Sequence, residues 1–315
     1  MKNVVVLGTG TMAVGIAAGF ISSGYGVILL GRNVERAKAV VSEIMGMAEG
    51  LSSGLSSGLS SESGSISPDQ IQTGTIDDWS DWSDVALVLE TVTENLALKQ
   101  TIFASLDKRV PTHIPIGSNS SGFPISLISQ SLKTAERMFN MHYFMPAHIV
   151  PLVEVVLGKA SDPSMAKQIC QLFEETGKKP VLVNQDIPGF LANRIQHALM
   201  REALALVNDG IATPEDVDTA VRYSFGFRYA AVGPMTQKEI SGWEGMAIAA
   251  KEIYPSLSNN IEISPCLNKI LKEKKFGIKS KEGFRTWSTE EASEMKRKYE
   301  KRLKAAFDVL QIEPD

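Results

Sequence analysis

The fold of this chain is predicted by its N-terminal stretch, Met1-Lys-Asn-Val-Val-Val-Leu-Gly8-Thr-Gly10-Thr-Met-Ala13-Val-Gly15. A strand-like apolar run at residues 4–7 is followed by Gly-x-Gly-x-x-Ala and then by an amphipathic segment at residues 16–23. Gly8 permits a tight turn, Gly10 lets the backbone approach a pyrophosphate, and Ala13 lets a helix pack closely on the strand. The stretch therefore predicts a dinucleotide-binding βα unit, with the phosphates at the positive end of the helix.

The choice of dinucleotide depends on the end of the second predicted strand, residues 26–30. Arg32 and Asn33 stand there instead of the Asp or Glu that usually binds the adenosine ribose of NAD. A guanidinium binds phosphate in a bidentate manner and so favours a 2′-phosphate. The expected cofactor is NAD(P)(H), with a preference for NADP(H). The alternative is that Arg32 is a solvated loop residue and that NAD binds.

The composition and net charge of the chain limit the classes of binding partner that we expect. The 315 residues carry a net charge of −4 and are 43% hydrophobic, with an isoelectric point near 5.7. This balance favours neither nucleic acid nor an anionic membrane as a partner. Cys170 and Cys266 are far apart and lack metal-type spacing, so we expect no disulfide or metal site and place both in the core. No secretory or membrane-spanning run is visible, which predicts a cytoplasmic location.

Strand-like and helix-like segments alternate through the first half of the chain, and only helices are expected after one last strand at residues 180–184. Alternation of this kind predicts a mostly parallel, doubly wound α/β sheet of the Rossmann type followed by an all-helical domain. The expected domains are residues 1–186 and 187–315, with the active site between them.

The other predicted strands cover residues 84–90, 114–118 and 137–144, and the predicted helices cover residues 34–47, 95–106 and 289–310. A Ser/Gly near-repeat at residues 50–64 is expected to be a mobile connection.

Oxidation of an alcohol by a nicotinamide enzyme needs a base with a pKa near neutrality, and the chain has only four histidines. His142 ends a predicted strand, and Glu154 follows within a second apolar run. A buried carboxylate beside an imidazole would fix its tautomer and stabilise the imidazolium. From the residues alone, a structural His with an unrelated Glu at a strand end is an equal alternative.

The sequence resembles the L-3-hydroxyacyl-CoA dehydrogenase family. The resemblance spans nearly the whole chain, in seven ordered blocks: Gly8-x-Gly10-x-Met12; Leu89-Glu90-Thr-Val-Thr-Glu94-Asn95-Leu96-x-x-Lys99; Ser118-Asn119-Ser120-Ser121; His142-x-Phe144-x-Pro146; Leu152-Val-Glu154-Val-Val; Pro188-Gly189-Phe190-x-x-Asn193-Arg194; and Lys279-x-x-Glu282-Gly283-Phe284.

The resemblance implies roles for the matching residues. His142 would be the base and Glu154 its partner, while Ser121 and Asn193 would hold the substrate oxygen. The cofactor site would comprise Gly8, Gly10, Thr11, Met12, Arg32, Asn33, Glu94, Lys99 and Lys279. Each residue also has a structural alternative, such as a turn, a cap or a solvated charge. A homodimer formed through the helical domain is implied as well.

The chain also departs from the family near the nicotinamide and where coenzyme A would bind. The family's Asn near the nicotinamide is Met145 here. In the region where coenzyme A would bind, residues 39–98 contain ten carboxylates but no Lys or Arg. CoA brings phosphates that want cationic partners. The pattern is closer to members that act on free acids, such as the pyridine-carboxylate dehydrogenase of vitamin B6 degradation and the gulonate and carnitine dehydrogenases.

The expected function is therefore that of an NAD(P)-dependent oxidoreductase for a small hydroxy or keto acid not joined to CoA. One alternative is a short-chain 3-hydroxyacyl-CoA dehydrogenase. A second alternative, from a different class, is a non-catalytic structural or sensory protein that only binds the cofactor, although the intact His142 and Glu154 argue against it.

Overall fold

The structure is a computed structural model that describes residues 1–54 and 66–312. The chain divides into two compact units, Met1–Arg194 and the remainder from Ile195 onward. The first unit holds every strand of the described sheet, and the second is built from helices. The α/β fold class expected from the sequence is confirmed.

Eight strands of the described chain form one sheet in the order β3-β2-β1-β4-β5-β6-β7-β8. All neighbouring strands are parallel except β6 and β7, which are antiparallel. The chain winds outward from β1 in both directions, so the carboxyl ends of β1 and β4 flank the crevice where ligands bind in such sheets. The strands are β1 (Asn3–Leu7), β2 (Gly26–Gly31), β3 (Ile71–Thr75), β4 (Val85–Glu90), β5 (Ile116–Ser118), β6 (Met138–Tyr143), β7 (Leu152–Leu157) and β8 (Lys179–Val183).

Helices cover both faces of the sheet in the first unit, which explains why the parallel strands β1, β2 and β4 are largely apolar. One buried cluster packs α1 and α6 on the sheet, and the other packs α4 and α5 on the opposite face. The helices of this unit are α1 (Thr11–Ser22), α2 (Val34–Ala39), α3 (Val41–Gly54), α4 (Leu96–Arg109), α5 (Ile125–Ile128) and α6 (Pro163–Glu175).

The second unit continues from α7, which begins at the end of the first unit. No residue described in this unit is buried, including the apolar residues of its helices. Its helices are α7 (Ala192–Asn208), α8 (Pro214–Tyr223), α9 (Phe225–Tyr229), α10 (Pro234–Ser241), α11 (Trp243–Ile253), α12 (Pro265–Lys272) and α13 (Thr289–Leu310).

Several elements differ from the sequence-based expectation. Strand β3 was not predicted, and the single helix expected at residues 34–47 is two helices separated at Val40. Helix α3 extends to Gly54, so the start of the Ser/Gly near-repeat is helical, while residues 55–64 of that repeat lie outside the described residues. Cys170 and Cys266 are half-buried rather than core residues.

Two further observations concern membranes and metals. No helix in the described ranges is both long and apolar enough to cross a membrane. Among the same residues, no group of three or more His, Cys, Asp or Glu side chains is placed to hold a metal ion.

Candidate active site

The N-terminus of α1 forms an open cradle at the carboxyl end of β1. Gly10 is the N-cap of α1 and no side chain caps the helix, so the backbone N–H groups of its first turn point outward. A Cβ atom added at Gly10 would meet no atom within 4 Å. Thr11 is exposed and Met12 half-buried beside it. The open backbone and the helix dipole fit the pyrophosphate of a dinucleotide.

Gly8 is required by the backbone itself. Its φ of +125° lies in a region that L side chains rarely adopt, and a Cβ atom would stand 2.6 Å from Oγ1 of Thr91. Thr91 follows β4 and donates its backbone N–H to the carbonyl of Leu7 over 2.8 Å. The close approach of these two strand ends closes the floor of the crevice, which only a glycine permits.

The two residues predicted to meet the adenosine ribose follow β2. Arg32 is exposed, and its side chain makes no hydrogen bond or ion pair within the part of the chain that the structure describes. Asn33 caps α2, because its Oδ1 accepts a hydrogen bond of 2.9 Å from the backbone N–H of Arg36. The cap occupies the amide oxygen of Asn33 and leaves its amide nitrogen for a ligand.

His142 and Glu154 are brought together by the antiparallel pairing of β6 and β7. They stand directly opposite each other in the register, which places two side chains on the same face of the sheet at contact distance. Nδ1 of His142 lies 2.8 Å from Oε2 of Glu154, and both side chains are buried. Glu154 is the third of six residues in β7, so the alternative of an unrelated Glu at a strand end does not describe its position.

The second oxygen of Glu154 is held by the start of α7. Oε1 accepts hydrogen bonds from the backbone N–H groups of Leu191, at 3.0 Å, and Ala192, at 2.7 Å. The preceding turn exposes these groups through two positive φ angles, 77° at Gly189 and 48° at Phe190. A bulky residue in this region is strained, and such strain is found where a site dictates the geometry.

These contacts determine the charge of Glu154. Burial alone would raise the pKa of Glu154. The hydrogen bonds from His142 and from the backbone of Ala192, the charge of His142 and the hydrogen bond from the backbone of Leu191 together hold this pKa below its usual range. Glu154 is therefore a carboxylate at neutral pH and can only accept hydrogen bonds. It follows that Nδ1 of His142 carries a proton and that Nε2 has a free lone pair when the ring is neutral.

Two aromatic rings fix the imidazole from its sides. Phe144 and Phe190 contact it edge-on, with centroid distances of 4.5 and 5.5 Å. Nε2 has no hydrogen-bond partner among the residues of the described ranges, and the His142 side chain retains 6% exposure. Phe190 was quoted in the sequence pattern but given no role; its positive φ is a property of the backbone that the sequence does not display.

Ser121 and Asn193 both have unengaged side chains. Ser121 is exposed after β5, and Asn193 is half-buried in the first turn of α7, next to the N–H group that binds Glu154. Neither side chain has a hydrogen bond within the described part of the chain. Lys279 lies in the second unit, exposed in a short 3-10 helix, and its place at the cofactor stays a prediction.

Lys99 does not line an open surface. Its side chain is 1% exposed, and Nζ donates to both oxygens of the buried Glu90, at 2.7 and 3.0 Å. Oε2 of Glu94 lies 3.4 Å away, and Glu94 itself is 43% exposed. Lys99 therefore stands behind Glu94, and a direct contact with cofactor requires Glu94 to move. Glu90 was missed as a site residue, although a carboxylate ending a continuously apolar strand is the signal for a buried partner.

Met145 follows β6 and is 65% exposed, despite its apolar side chain. It is the residue that replaces the family's Asn. An exposed thioether three residues after His142 offers a flexible apolar contact in place of an amide.

A prediction follows from the lowered pKa of Glu154. The stability it contributes is complete above pH 4.5, its ordinary pKa, and is lost as the pH falls through the lower pKa of the folded state. Glu154→Gln should lower the free energy of unfolding at pH 7 by about 2 kcal/mol, and the gap to wild type should narrow below pH 4.5. Urea denaturation across pH measures this, with the exposed Glu174→Gln on α6 as control; a gap independent of pH would contradict the assignment.

Comparison with known proteins places this geometry in a family. Residues 3–187 match the model of the 3-hydroxyacyl-CoA dehydrogenase NAD binding domain, and residues 189–287 match that of the 3-hydroxyacyl-CoA dehydrogenase C-terminal domain. The chain is 30% identical, over 99% of both chains, to 5-formyl-3-hydroxy-2-methylpyridine 4-carboxylate 5-dehydrogenase of Mesorhizobium japonicum. It is 31% identical to L-carnitine dehydrogenase of Bacillus cereus, covering 82% of this chain and 77% of that protein.

A solved structure gives the same result for the fold. The crystal structure of a 5-formyl-3-hydroxy-2-methylpyridine 4-carboxylic acid 5-dehydrogenase, described as an NAD+ dependent dismutase, superposes with a TM-score of 0.88 at 29% identity, and the match covers 100% of both chains. The resemblance found in the sequence is thereby confirmed. The chain belongs to the 3-hydroxyacyl-CoA dehydrogenase family, whose members are NAD-dependent oxidoreductases acting on CH–OH groups.

Proposed function

We propose that this protein interconverts a small hydroxy acid, not joined to CoA, and the corresponding carbonyl compound, with His142 as the catalytic base. The observation that carries the proposal is the buried contact of 2.8 Å between His142 and Glu154, which leaves Nε2 of the imidazole unpaired in the described chain. A non-catalytic protein has no need to bury a carboxylate against a histidine at the mouth of a nucleotide crevice, because burying a charge is costly.

The residues divide the chemistry between them. Nε2 of His142 takes the proton of the substrate hydroxyl, and Glu154 stabilises the imidazolium that forms. Ser121 and Asn193 donate hydrogen bonds to the substrate oxygen, where negative charge develops as the O–H bond breaks. A bound nicotinamide dinucleotide would supply the acceptor for the hydride, which leaves the substrate carbon that bears this oxygen. In the reverse direction, His142 returns its proton to the carbonyl oxygen.

The substrate class rests on charge and on the relatives. The segment at residues 39–98 has ten carboxylates and no cation, and the described carboxylates at Asp77 and Asp78 are exposed. A CoA phosphate would meet repulsion there. The two relatives described above are named for a pyridine carboxylate and for carnitine. The runner-up, a short-chain 3-hydroxyacyl-CoA dehydrogenase, is favoured by the name of the family itself.

His142→Gln should lower kcat by about 10² to 10⁴-fold, since it removes a general base but preserves size and polarity. The binding of NADH should be retained. Reduced-cofactor absorbance across a panel of free keto acids and their CoA thioesters provides the assay, and the exposed His113→Gln is the matched control. Full activity of His142→Gln would refute the base assignment, and better turnover of acetoacetyl-CoA than of any free acid would refute the substrate class.

We also propose that Arg32 binds a 2′-phosphate, so that NADP(H) is used in preference to NAD(H). Support comes from the exposed, unengaged guanidinium directly after β2. The carboxylate that would bind a ribose 2′-hydroxyl is missing from this position.

Arg32→Ala should therefore raise the KM for NADPH roughly tenfold or more, because a charged hydrogen bond to phosphate is lost, while the KM for NADH should stay unchanged. Steady-state kinetics with both cofactors measure this, with the exposed Lys108→Ala on α4 as control. A clear preference for NADH that Arg32→Ala leaves unaltered would remove the proposal.

The helical unit is proposed to form a homodimer with a second copy of the chain. Large apolar side chains in this unit stay open to solvent, among them Ile211, Phe227, Ile240 and Ile261, and none of its described residues is buried. Large exposed apolar side chains that lie together on a protein surface mark an interaction site, and a second copy of the chain is the partner proposed here. We also propose that the domain boundary lies near residue 186, so that the helical domain includes the whole of α7. The cytoplasmic location stays a prediction.

Sedimentation equilibrium should give twice the mass of one chain at micromolar concentration, with no monomer resolved, because obligate interfaces of this apolar kind bury large areas. A mass equal to one chain under the same conditions would contradict the dimer.

A further inference from the structure

We propose that Glu90 and Ser118, which the mechanism above does not use, are positioning residues that fix the turn carrying Ser121 against the reacting oxygen. The proposal rests on the proposed role of Ser121 in binding the substrate oxygen. It concerns a polar cluster of four buried residues, Glu90, Ser118, Lys99 and Ser120, together with the partly exposed Glu94, below called the Glu90 cluster. Each of its members lies within the first unit.

The first route from Glu90 to the turn runs through Ser118. Oγ of Ser118 donates to Oε2 of Glu90 over 2.7 Å and accepts the backbone N–H of Ser120 over 3.2 Å. Both serines and the carboxylate are buried. A hydroxyl that donates on one side and accepts on the other transmits the position of Glu90 to the backbone immediately before Ser121.

The second route runs through Lys99 and Glu94. Lys99 is held by Glu90, as described above, and faces Oε2 of Glu94. Oε1 of Glu94 accepts from Oγ of Ser120, at 2.5 Å, and from the backbone N–H of Gly122, at 3.1 Å. The residues on either side of Ser121 are therefore bound to the same carboxylate oxygen.

The result is a serine whose backbone is held on both sides and whose hydroxyl is unengaged in the described chain. Oγ of Ser120 also accepts from the backbone N–H of Phe123, at 2.8 Å, which fixes the far side of the turn. Catalytic hydrogen bonds work best when the donor is held in place before the reaction, because no energy is then spent on ordering it. The Glu90 cluster performs this ordering.

Stability alone does not explain the Glu90 cluster. A fully buried ion pair such as Glu90 and Lys99 contributes little net stability, because the desolvation of both charges offsets their attraction. Well-packed apolar residues would serve the fold as well. Oε1 of Glu90 accepts the backbone N–H of Val92 over 2.6 Å, and Nζ of Lys99 donates to the carbonyl of Val92 over 3.3 Å. The other hydrogen bonds of the Glu90 cluster lead to the turn of Ser121, so the cluster ties that turn to the loop after β4.

The test is a double-mutant cycle with Ser118→Ala, Ser121→Ala and the double variant, assayed on the best substrate of the panel. Ser118→Ala removes one hydroxyl and is milder than any change at Glu90. We expect Ser121→Ala to lower kcat about 100-fold, Ser118→Ala about tenfold, and the double variant no further than Ser121→Ala alone. The Kd for NADH should not change in any of them.

The control is Ser129→Ala, a buried serine whose hydroxyl donates to the carbonyl of Ile125 and does not contact the turn. It should retain wild-type kcat. The inference is overturned if the two effects multiply in the double variant, or if Ser118→Ala behaves like Ser129→Ala. If Ser121→Ala itself keeps wild-type kcat, the assigned role of Ser121 falls and the inference with it, whereas the His142 assignment is judged separately by His142→Gln.

Discussion

The hydrogen bond between Glu154 and His142 is the interaction on which the rest of the site depends. Through its two oxygens, Glu154 on β7 binds His142 on the antiparallel strand β6 and the backbone N–H groups at the start of α7. Glu154 is fully buried, so its charge is tolerated only because both oxygens are hydrogen-bonded. The carboxylate thus orients the His142 imidazole and at the same time binds the backbone at the start of α7. Since Asn193 follows directly in α7, the same contact also sets the position of the second proposed oxygen ligand.

The glycine turn after β1 and His142 lie at the same edge of the sheet because of its topology. Strands β1, β4, β5 and β6 run parallel, so their carboxyl ends meet at one edge. Gly8 and Gly10 follow β1, Glu90 ends β4, Ser121 follows β5, and His142 lies near the end of β6. The residues proposed for the site thus come from the carboxyl ends of several parallel strands, which is typical of a doubly wound sheet.

Local signals in the sequence predicted most of this arrangement. The glycine turn after β1 and the apolar strands β1, β2 and β4 are properties of neighbouring residues, and the structure has these elements where the sequence predicts them. Strand β3 was missed because Ile71–Thr75 alternates weakly and includes a glycine. The contact between His142 and Glu154 could be proposed but not decided, because the antiparallel register that makes them partners is a long-range property. The same limit applies to Lys99, whose burial behind Glu94 depends on Glu90 and Ser118 from other strands.

We infer that Glu154 holds His142 with the proton on Nδ1, which leaves Nε2 as the nitrogen that can accept a proton from substrate. The most direct measurement is the ¹⁵N NMR spectrum of the protein labelled at histidine, with the His142 signals assigned by their loss in His142→Gln. Because Nδ1 faces the Glu154 carboxylate, we expect Nδ1 to be the protonated nitrogen of the neutral ring and Nε2 to be the unprotonated one. A neutral ring protonated at Nε2 would contradict it.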